Sequence, residues 1–187
     1  MQTQTIYRRL ASLFQYPGED YAIRTKECLG ALAGERTEAA SSLEEFYAAI
    51  EGKSSDELQE LFTRTFELNP ICTLEIGWHL YGEDYRRGEF LVKMRQQLRE
   101  HQIPETTELP DHLTHALALL ASLNGTEAAA FAEQFLLPAL DQMRSAWQTN
   151  RNAFAALLEF TFVLLKSNYP YQPAQRRTAP PALRVMQ

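Results

Sequence analysis

Apolar side chains recur at helical spacing along most of the chain, and this periodicity is the strongest constraint on its fold. Residues three or four apart lie on one face of a helix, so Ile6, Leu10 and Leu13 form a single apolar stripe. Similar stripes recur as far as Leu165. No stretch between them shows the alternation of apolar and polar residues that a β-strand needs. The pattern therefore predicts an all-α protein.

Proline and glycine divide the stripes into separate helices, and the polar residues before several stripes are suitable caps. The predicted helices span about 6–14, 20–34, 37–52, 54–66, 90–99, 110–123, 126–147 and 152–165. Ser54 or Ser55 is expected to cap the fourth, and Thr126 the seventh. Pro110 is expected in the first turn of the sixth, and Pro138 is expected to kink the seventh. We predict a single compact bundle of about seven or eight helices.

The length and charge distribution divide the chain into a body and a tail. A chain of 187 residues suits one domain, predicted here as residues 1–166. Residues 167–187 hold four of the nine prolines and no helical period, so they are predicted to be extended or disordered. The whole chain carries 18 − 24 = −6, but the tail has three arginines and no acids, so the body carries 15 − 24 = −9.

This composition excludes several classes of function. An acidic body predicts no general affinity for nucleic acid or an anionic membrane, and it favours a basic partner. Cys28 and Cys72 have no zinc spacing, so reduced thiols are expected, although one disulfide is possible. The N-terminus lacks a basic region followed by an apolar run, so no signal peptide is expected. The longest apolar run, near residues 154–165, is too short to span a bilayer.

Catalytic motifs are missing from the sequence. There is no glycine-rich phosphate loop, no nucleophile elbow and no HExxH. His112 and His115 lie three residues apart beside Asp111, so a metal-dependent enzyme using these histidines and nearby carboxylates is one alternative. The other interpretation is a capped helix start with a surface histidine. We predict no metal, no cofactor and no enzymatic activity.

Residues 61–88 contain five aromatic side chains, among them Trp78 and Tyr81. These aromatics could simply form part of the core. Gly77 and Gly82 argue against a plain core helix, because glycine costs about 1 kcal/mol relative to alanine in a helix interior. Aromatic faces next to acidic side chains such as Glu67 complement an apolar peptide that bears arginines. We therefore expect Trp78 and Tyr81 to be at least partly exposed.

Two motifs carry a resemblance to a known family. The first is YGEDYRRG at residues 81–88, and the second is ELPDHL at residues 108–113. Together they resemble the NarJ chaperones, the delta-subunit-like proteins that mature respiratory nitrate reductase and related molybdoenzymes. The second motif is also similar to that of the related TorD and DmsD chaperones. The resemblance extends from LFQYP at residues 13–17 to about Lys166.

The resemblance implies an all-helical, cytoplasmic, non-enzymatic chaperone. Its expected partner is the catalytic subunit of a nitrate reductase-like molybdoenzyme, bound through its N-terminal leader and held for molybdenum-cofactor insertion. No nucleic acid and no stable membrane association are expected, and the protein is expected to be a monomer or weak dimer. The expected client-peptide site comprises Phe66, Glu67, Trp78, His79, Tyr81, Gly82, Glu83, Arg86, Arg87, Asp111 and His112. Gly77-Trp78 and the basic tail do not map onto the family pattern.

Several alternatives stay open at this point. The protein could instead be a stable interaction subunit of a redox complex. Asp111 either caps the sixth helix or receives a client arginine, and Arg86 and Arg87 are expected to pair with Glu83 or Asp84. The arginine pair in residues 175–183 loosely mimics a leader, so the tail either occupies the client site weakly or is an idle solvated segment.

Overall fold

The computed structural model describes residues 2–32, 38–69, 71–145 and 152–172, and this part of the chain is helical without strands, which confirms the all-α prediction. Two π-helical turns continue or join α-helices, which makes nine continuous helical segments within the described residues. The helix absent from the sequence prediction is the short α5. The α-helices are α1 Gln2–Leu13, α2 Tyr21–Ala31, α3 Glu38–Ile50, α4 Ser55–Phe62, α5 Ile76–Tyr81, α6 Arg86–Glu100, α7 Leu113–Leu120, α8 Gly125–Phe131, α9 Leu137–Ser145 and α10 Ala153–Asn168.

The last helix, α10, lies at the centre of the bundle. Its apolar side chains are buried on nearly every face, as expected of a helix surrounded by others. Helices α3 and α9 pack along it, and α1 packs on α2 and α7. A core assembled around the final helix requires almost the whole chain to be present.

One cluster of aromatic rings connects α10 to the first half of the chain. The Phe154 ring lies 6.3 Å from Tyr21, 5.6 Å from Phe46, 5.4 Å from Phe62 and 5.3 Å from Phe66, measured between ring centroids. Most of these pairs meet edge to face, the geometry that the aromatic quadrupole favours. The cluster therefore fixes α4 and its π-helical extension against the core.

The helix caps differ from the sequence prediction at two of three positions. Ser54 forms a capping box with Glu57 at the start of α4, as expected. The cap of α7 is His112, because its imidazole accepts the Thr114 N–H. Pro110 therefore lies before the helix and not in its first turn. The cap of α8 is Asn124 and not Thr126, since the side-chain Oδ1 of Asn124 accepts the Glu127 N–H.

The long helix around Pro138 is irregular. A π-helical turn, Ala132–Leu136, joins α8 to α9. Pro138 has no N–H, so the carbonyl of Gln134 in that turn cannot receive the usual helical hydrogen bond. Wider π-type spacing at this point keeps the two helices continuous.

The chain turns back onto the body after α10. The Tyr169 ring lies 6.3 Å from the Tyr7 ring of α1. The Tyr171 hydroxyl donates to Asp141 Oδ2 at 3.2 Å, and its ring packs edge to face on Phe162. Of the predicted tail 167–187, residues 173–187 lie outside the described residues, as do the ends of the second and seventh predicted helices.

Phe154→Ala should destabilise the protein by about 3–5 kcal/mol, because it removes the ring that four other aromatics contact. The measurement is the free energy of unfolding in urea. Tyr85→Ala is the control, since Tyr85 is 78% exposed and should change stability by less than about 0.5 kcal/mol. Equal stability of the two variants would contradict the central role of α10.

Candidate functional site

Two adjoining cavities form one groove on the surface of the bundle. The main cavity has a volume of about 420 Å³ and the side cavity about 290 Å³, and both are lined by Glu67, Thr73 and Glu75. Trp78 and Arg87 complete the side cavity. The other residues of the main cavity are Phe14, Gln15, Tyr16, Phe62, Phe66, Leu74, Thr106, Thr107, Glu108, His112 and Thr114. We call this pair of cavities the groove.

A π-helical turn, Thr63–Glu67, supplies one wall of the groove. It continues α4 and carries Phe66 and Glu67, the first buried against Phe154 and the second exposed. The Thr63 hydroxyl donates to Glu67 Oε2 at 2.8 Å and so orients that carboxylate. The π turn thus places an anchored aromatic ring next to a solvent-facing acid.

Two loops distant in sequence are joined beneath the groove. The Leu113 N–H donates to the Leu74 carbonyl at 2.8 Å, and the Ile76 N–H donates to the Asp111 carbonyl at 3.0 Å. These bonds form an isolated antiparallel bridge between Glu75 and His112. We call this bridge, together with the Asp111 side-chain contact described next, the clasp.

Asp111 completes the clasp with its side chain. The carboxylate is fully buried, and its Oδ2 accepts the Gly77 N–H at 2.9 Å. The predicted cap role of Asp111 is therefore wrong, since His112 caps α7, and Asp111 is not among the residues that line the groove. Burial raises the pKa of this carboxyl, while the nearby Arg87 and the Gly77 N–H act in the opposite direction.

Gly77 is required by this close approach. A Cβ on this residue would lie 2.5 Å from Asp111 Oδ2 and 2.9 Å from the Phe90 ring. No side chain larger than hydrogen fits without moving α5 away from Asp111 or Phe90. The glycine that the family pattern did not explain is therefore a packing residue of the clasp.

The groove is acidic. Glu67, Glu75 and Glu108 line the main cavity, and the only arginine or lysine among the described lining residues is Arg87, in the side cavity. Burial raises the pKa of Glu75, partly offset by Arg87. The Arg87 guanidinium lies 5.4 Å from the Trp78 ring, and its buried Nε makes no hydrogen bond among the described residues.

The histidines hold backbone around the groove. His79 Nε2 donates to the Thr73 carbonyl at 2.7 Å, and burial lowers its pKa. His115 Nδ1 donates to the Leu109 carbonyl at 2.9 Å, and its Nε2 accepts the Thr106 N–H at 3.3 Å. His115 therefore fastens the loop that carries Glu108 to α7. His112 lines the main cavity, and burial lowers its pKa to about 4.

These hydrogen bonds bear on the metal alternative. The rings of His112 and His115 are 6.5 Å apart, and both nitrogens of His115 are already in hydrogen bonds. Within the described ranges, no three His, Cys, Asp or Glu side chains come together as a metal site. Cys28 and Cys72 are both buried free thiols, so they form no disulfide with each other.

Residues of the first motif form the turn between α5 and α6. Tyr81 is buried with its ring 5.4 Å from Phe90, so the expectation that it is partly exposed was wrong. Gly82 ends α5 at a positive φ of 58°. Arg86 pairs with Asp84 at 2.6 Å, as expected, and this pairing lowers the pKa of Asp84 to about 2. Glu83 is exposed outside the groove.

The groove thus brings together part of the predicted site. Phe66, Glu67, Trp78, Arg87 and His112 line it, and Trp78 is partly exposed as expected. Glu75 and Glu108 also line the groove but were not among the predicted site residues. Glu108 begins the second motif, and Glu75 lies two residues before Gly77. Their positions beside the second motif and Gly77 were the only sequence signal for these two glutamates. The clasp that brings both to one cavity connects segments that are distant in sequence.

Comparison with known proteins agrees with the motifs. The family model described as nitrate reductase delta subunit matches residues 30–161, more than half of the chain. The chain belongs to this family. Comparison with curated proteins finds no match. Family membership implies a chaperone role in molybdoenzyme assembly, associated with maturation of a nitrate reductase catalytic subunit. Each helix in the described part of the chain is too short or too polar to cross a bilayer.

Gly77→Ala should lower the free energy of unfolding by about 1–3 kcal/mol, because the added methyl group collides with Asp111 and Phe90. Gly88→Ala is the matched control in α6. Its Cβ would meet open space, so helix propensity should raise stability by about 0.4–1 kcal/mol. Urea denaturation measures both variants, and a Gly77→Ala protein as stable as wild type would show that the clasp tolerates displacement.

His112→Asn should reduce the pH dependence of stability. The folded-state pKa of about 4 lies below the usual value near 6.5, so the stabilisation from neutral His112 is present above pH 6.5 and lost as the pH falls towards 4. Asparagine keeps an acceptor for the Thr114 N–H but does not titrate. Urea denaturation at several pH values between 4 and 7 should give a shallower slope for the variant. Parallel profiles for the two proteins would contradict the burial argument.

Proposed function

We propose that the groove binds the N-terminal leader of a molybdoenzyme catalytic subunit, so that this cytoplasmic chaperone holds its client until the molybdenum cofactor is inserted. The observation that carries the proposal is the combination of aromatic walls and three carboxylates in one open groove. The family indicates the class of client, and the groove is the surface that we expect the leader of this client to contact.

Charge and shape favour a peptide that combines arginine with apolar residues. The carboxylates of Glu67 and Glu108 are exposed at the main cavity, where a guanidinium can reach them from solvent. Arginine forms paired hydrogen bonds with carboxylates, which fixes orientation as well as adding energy. The ring of Tyr16, which is 51% exposed in the main cavity, and that of Trp78 in the side cavity offer apolar surface to neighbouring leader residues.

The two cavities suit different residues of the leader peptide. The main cavity contains no arginine or lysine among its described lining residues, so it is the better place for the arginines of the leader. The side cavity contains Arg87 beside Trp78, so it suits an apolar or weakly polar residue of the same peptide. The ligand is an extended or helical segment long enough to occupy both.

Glu67→Gln with Glu108→Gln should weaken binding of a leader peptide from a nitrate reductase catalytic subunit. Each exposed ion pair contributes about 0.2–1 kcal/mol, so the double variant should raise Kd by about 2- to 30-fold. Isothermal titration calorimetry at low salt measures this change.

Glu44→Gln with Glu89→Gln is the matched control. These glutamates are exposed on α3 and α6 outside the groove, and the net charge changes by the same amount. The control should bind the peptide nearly as tightly as wild type. An equal loss of affinity in both double variants would mean that net charge causes the effect, and the groove would then not be the binding site. Absence of peptide binding by the wild-type protein would overturn the whole proposal.

A further inference from the structure

We propose that the C-terminal segment of this same chain, residues 173–187, docks in the groove and competes with the client leader. The inference rests on the proposed function for the identity of the competitor. It is carried by the place where the described chain ends and by the opposite charges of the segment and the groove.

The described chain ends against α9 and α10. Tyr169 contacts Tyr7, and two residues later Tyr171 packs on Phe162. Phe162 lies six residues before the end of α10 at Asn168, so the Tyr171 side chain lies beside an earlier part of that helix. Phe154, farther in the same direction, contacts the groove residue Phe66.

The distance that remains is short. From Phe162 to Phe154 is eight residues of helix, or about 12 Å. A segment of five residues can span up to about 16 Å, so the chain beyond Gln172 is long enough to reach the level of Phe66. A second series of contacts connects Tyr171 with the groove. The Tyr171 hydroxyl donates to Asp141 of α9, and the carbonyl of Met143, two residues farther along α9, accepts the Cys72 thiol at 3.5 Å. Cys72 immediately precedes Thr73 of the groove.

The exit point is held firmly. Arg144 donates to both oxygens of Glu159 at 2.9 and 2.8 Å, and its guanidinium lies 4.1 Å from the Phe162 ring. Tyr171 packs against this ring and bonds to Asp141, which also pairs with Arg144 at 3.4 Å. Tyr171, next to the last described residue of the chain, is therefore held by a network within the body.

Charge and composition match the groove. The segment carries Arg176, Arg177 and Arg184 and no acidic residue, while three carboxylates line the main cavity. Small and apolar residues follow the arginine pair. Close in sequence to the groove residues Glu67 and Thr73, Leu68 is 72% exposed and Ile71 is 64% exposed, which leaves apolar surface for those residues to cover.

Because the C-terminal segment is part of the same chain, even weak intrinsic affinity is enough for it to occupy the groove. A segment attached a few residues from its site has an effective concentration of the order of millimolar. If its intrinsic Kd is about 0.1–1 mM, it occupies the groove for half the time or more and raises the apparent Kd of a competitor by about 2- to 10-fold. A leader with micromolar or tighter affinity still displaces it.

The first experiment compares leader-peptide binding by the full chain and by Arg176→Ala with Arg177→Ala. The double variant should bind about 2- to 10-fold more tightly at low salt, and the gain should shrink at high salt because screening weakens the tail contact. Lys26→Ala with Lys53→Ala removes the same charge from exposed positions on the body, and it should show no such gain. Equal affinity of both double variants at low salt overturns the proposal.

The second experiment detects the tail directly and needs no client. A photo-reactive benzoylphenylalanine in place of Thr178 should cross-link to groove residues within a single chain. The cross-links should disappear in the Arg176→Ala and Arg177→Ala background. Cross-links scattered over the body, or formed between two chains, overturn tethered docking. If no form binds the leader but groove cross-links persist, the client assignment fails and the docking of the tail stands.

Discussion

The hydrogen bond from Gly77 to the buried Asp111 is the contact on which the groove depends. It holds the first turn of α5 against the loop before α7, and the two backbone bonds beside it keep Glu75 opposite His112. A buried carboxylate is costly, and here Arg87 and a backbone N–H offset that cost. Without the clasp, the acidic side chains on the two loops would have no fixed separation.

The residues of the two motifs divide into those that build the groove and those that line it. Asp111 and Tyr81 are buried and hold neighbouring elements together, while Gly82 and the Asp84–Arg86 pair shape the turn between α5 and α6. Glu108 and Arg87 contribute to the surface of the groove. In this chain the two motifs thus contain more residues that hold the frame of the groove than residues that line it.

Sequence reasoning recovered the helices because their signals are local. Apolar spacing, the Ser54 cap and proline positions act within one or two turns of chain. The short α5 was missed because its stability comes from the contacts of Gly77 and Tyr81 with distant residues and not from its own periodicity.

The groove itself was only half predictable for the same reason. Phe66, Glu67 and Trp78 belong to one unusual stretch, so composition alone singled them out. Glu75 and Glu108 became site residues only through a bridge between segments more than thirty residues apart. The bond from Gly77 to Asp111 could not be predicted, because no sequence pattern distinguishes a carboxylate that receives a ligand from one that receives a backbone N–H.

The central position of α10 also has a consequence for protein synthesis. Phe66 and Phe62 rest on Phe154, so the groove lacks its supporting ring until the final helix has been translated. An unfinished chain on the ribosome contains every residue that lines the groove but not the helix that fixes their spacing. The groove therefore takes its shape only after α10 has been translated, and chains that end before α10 lack its supporting ring.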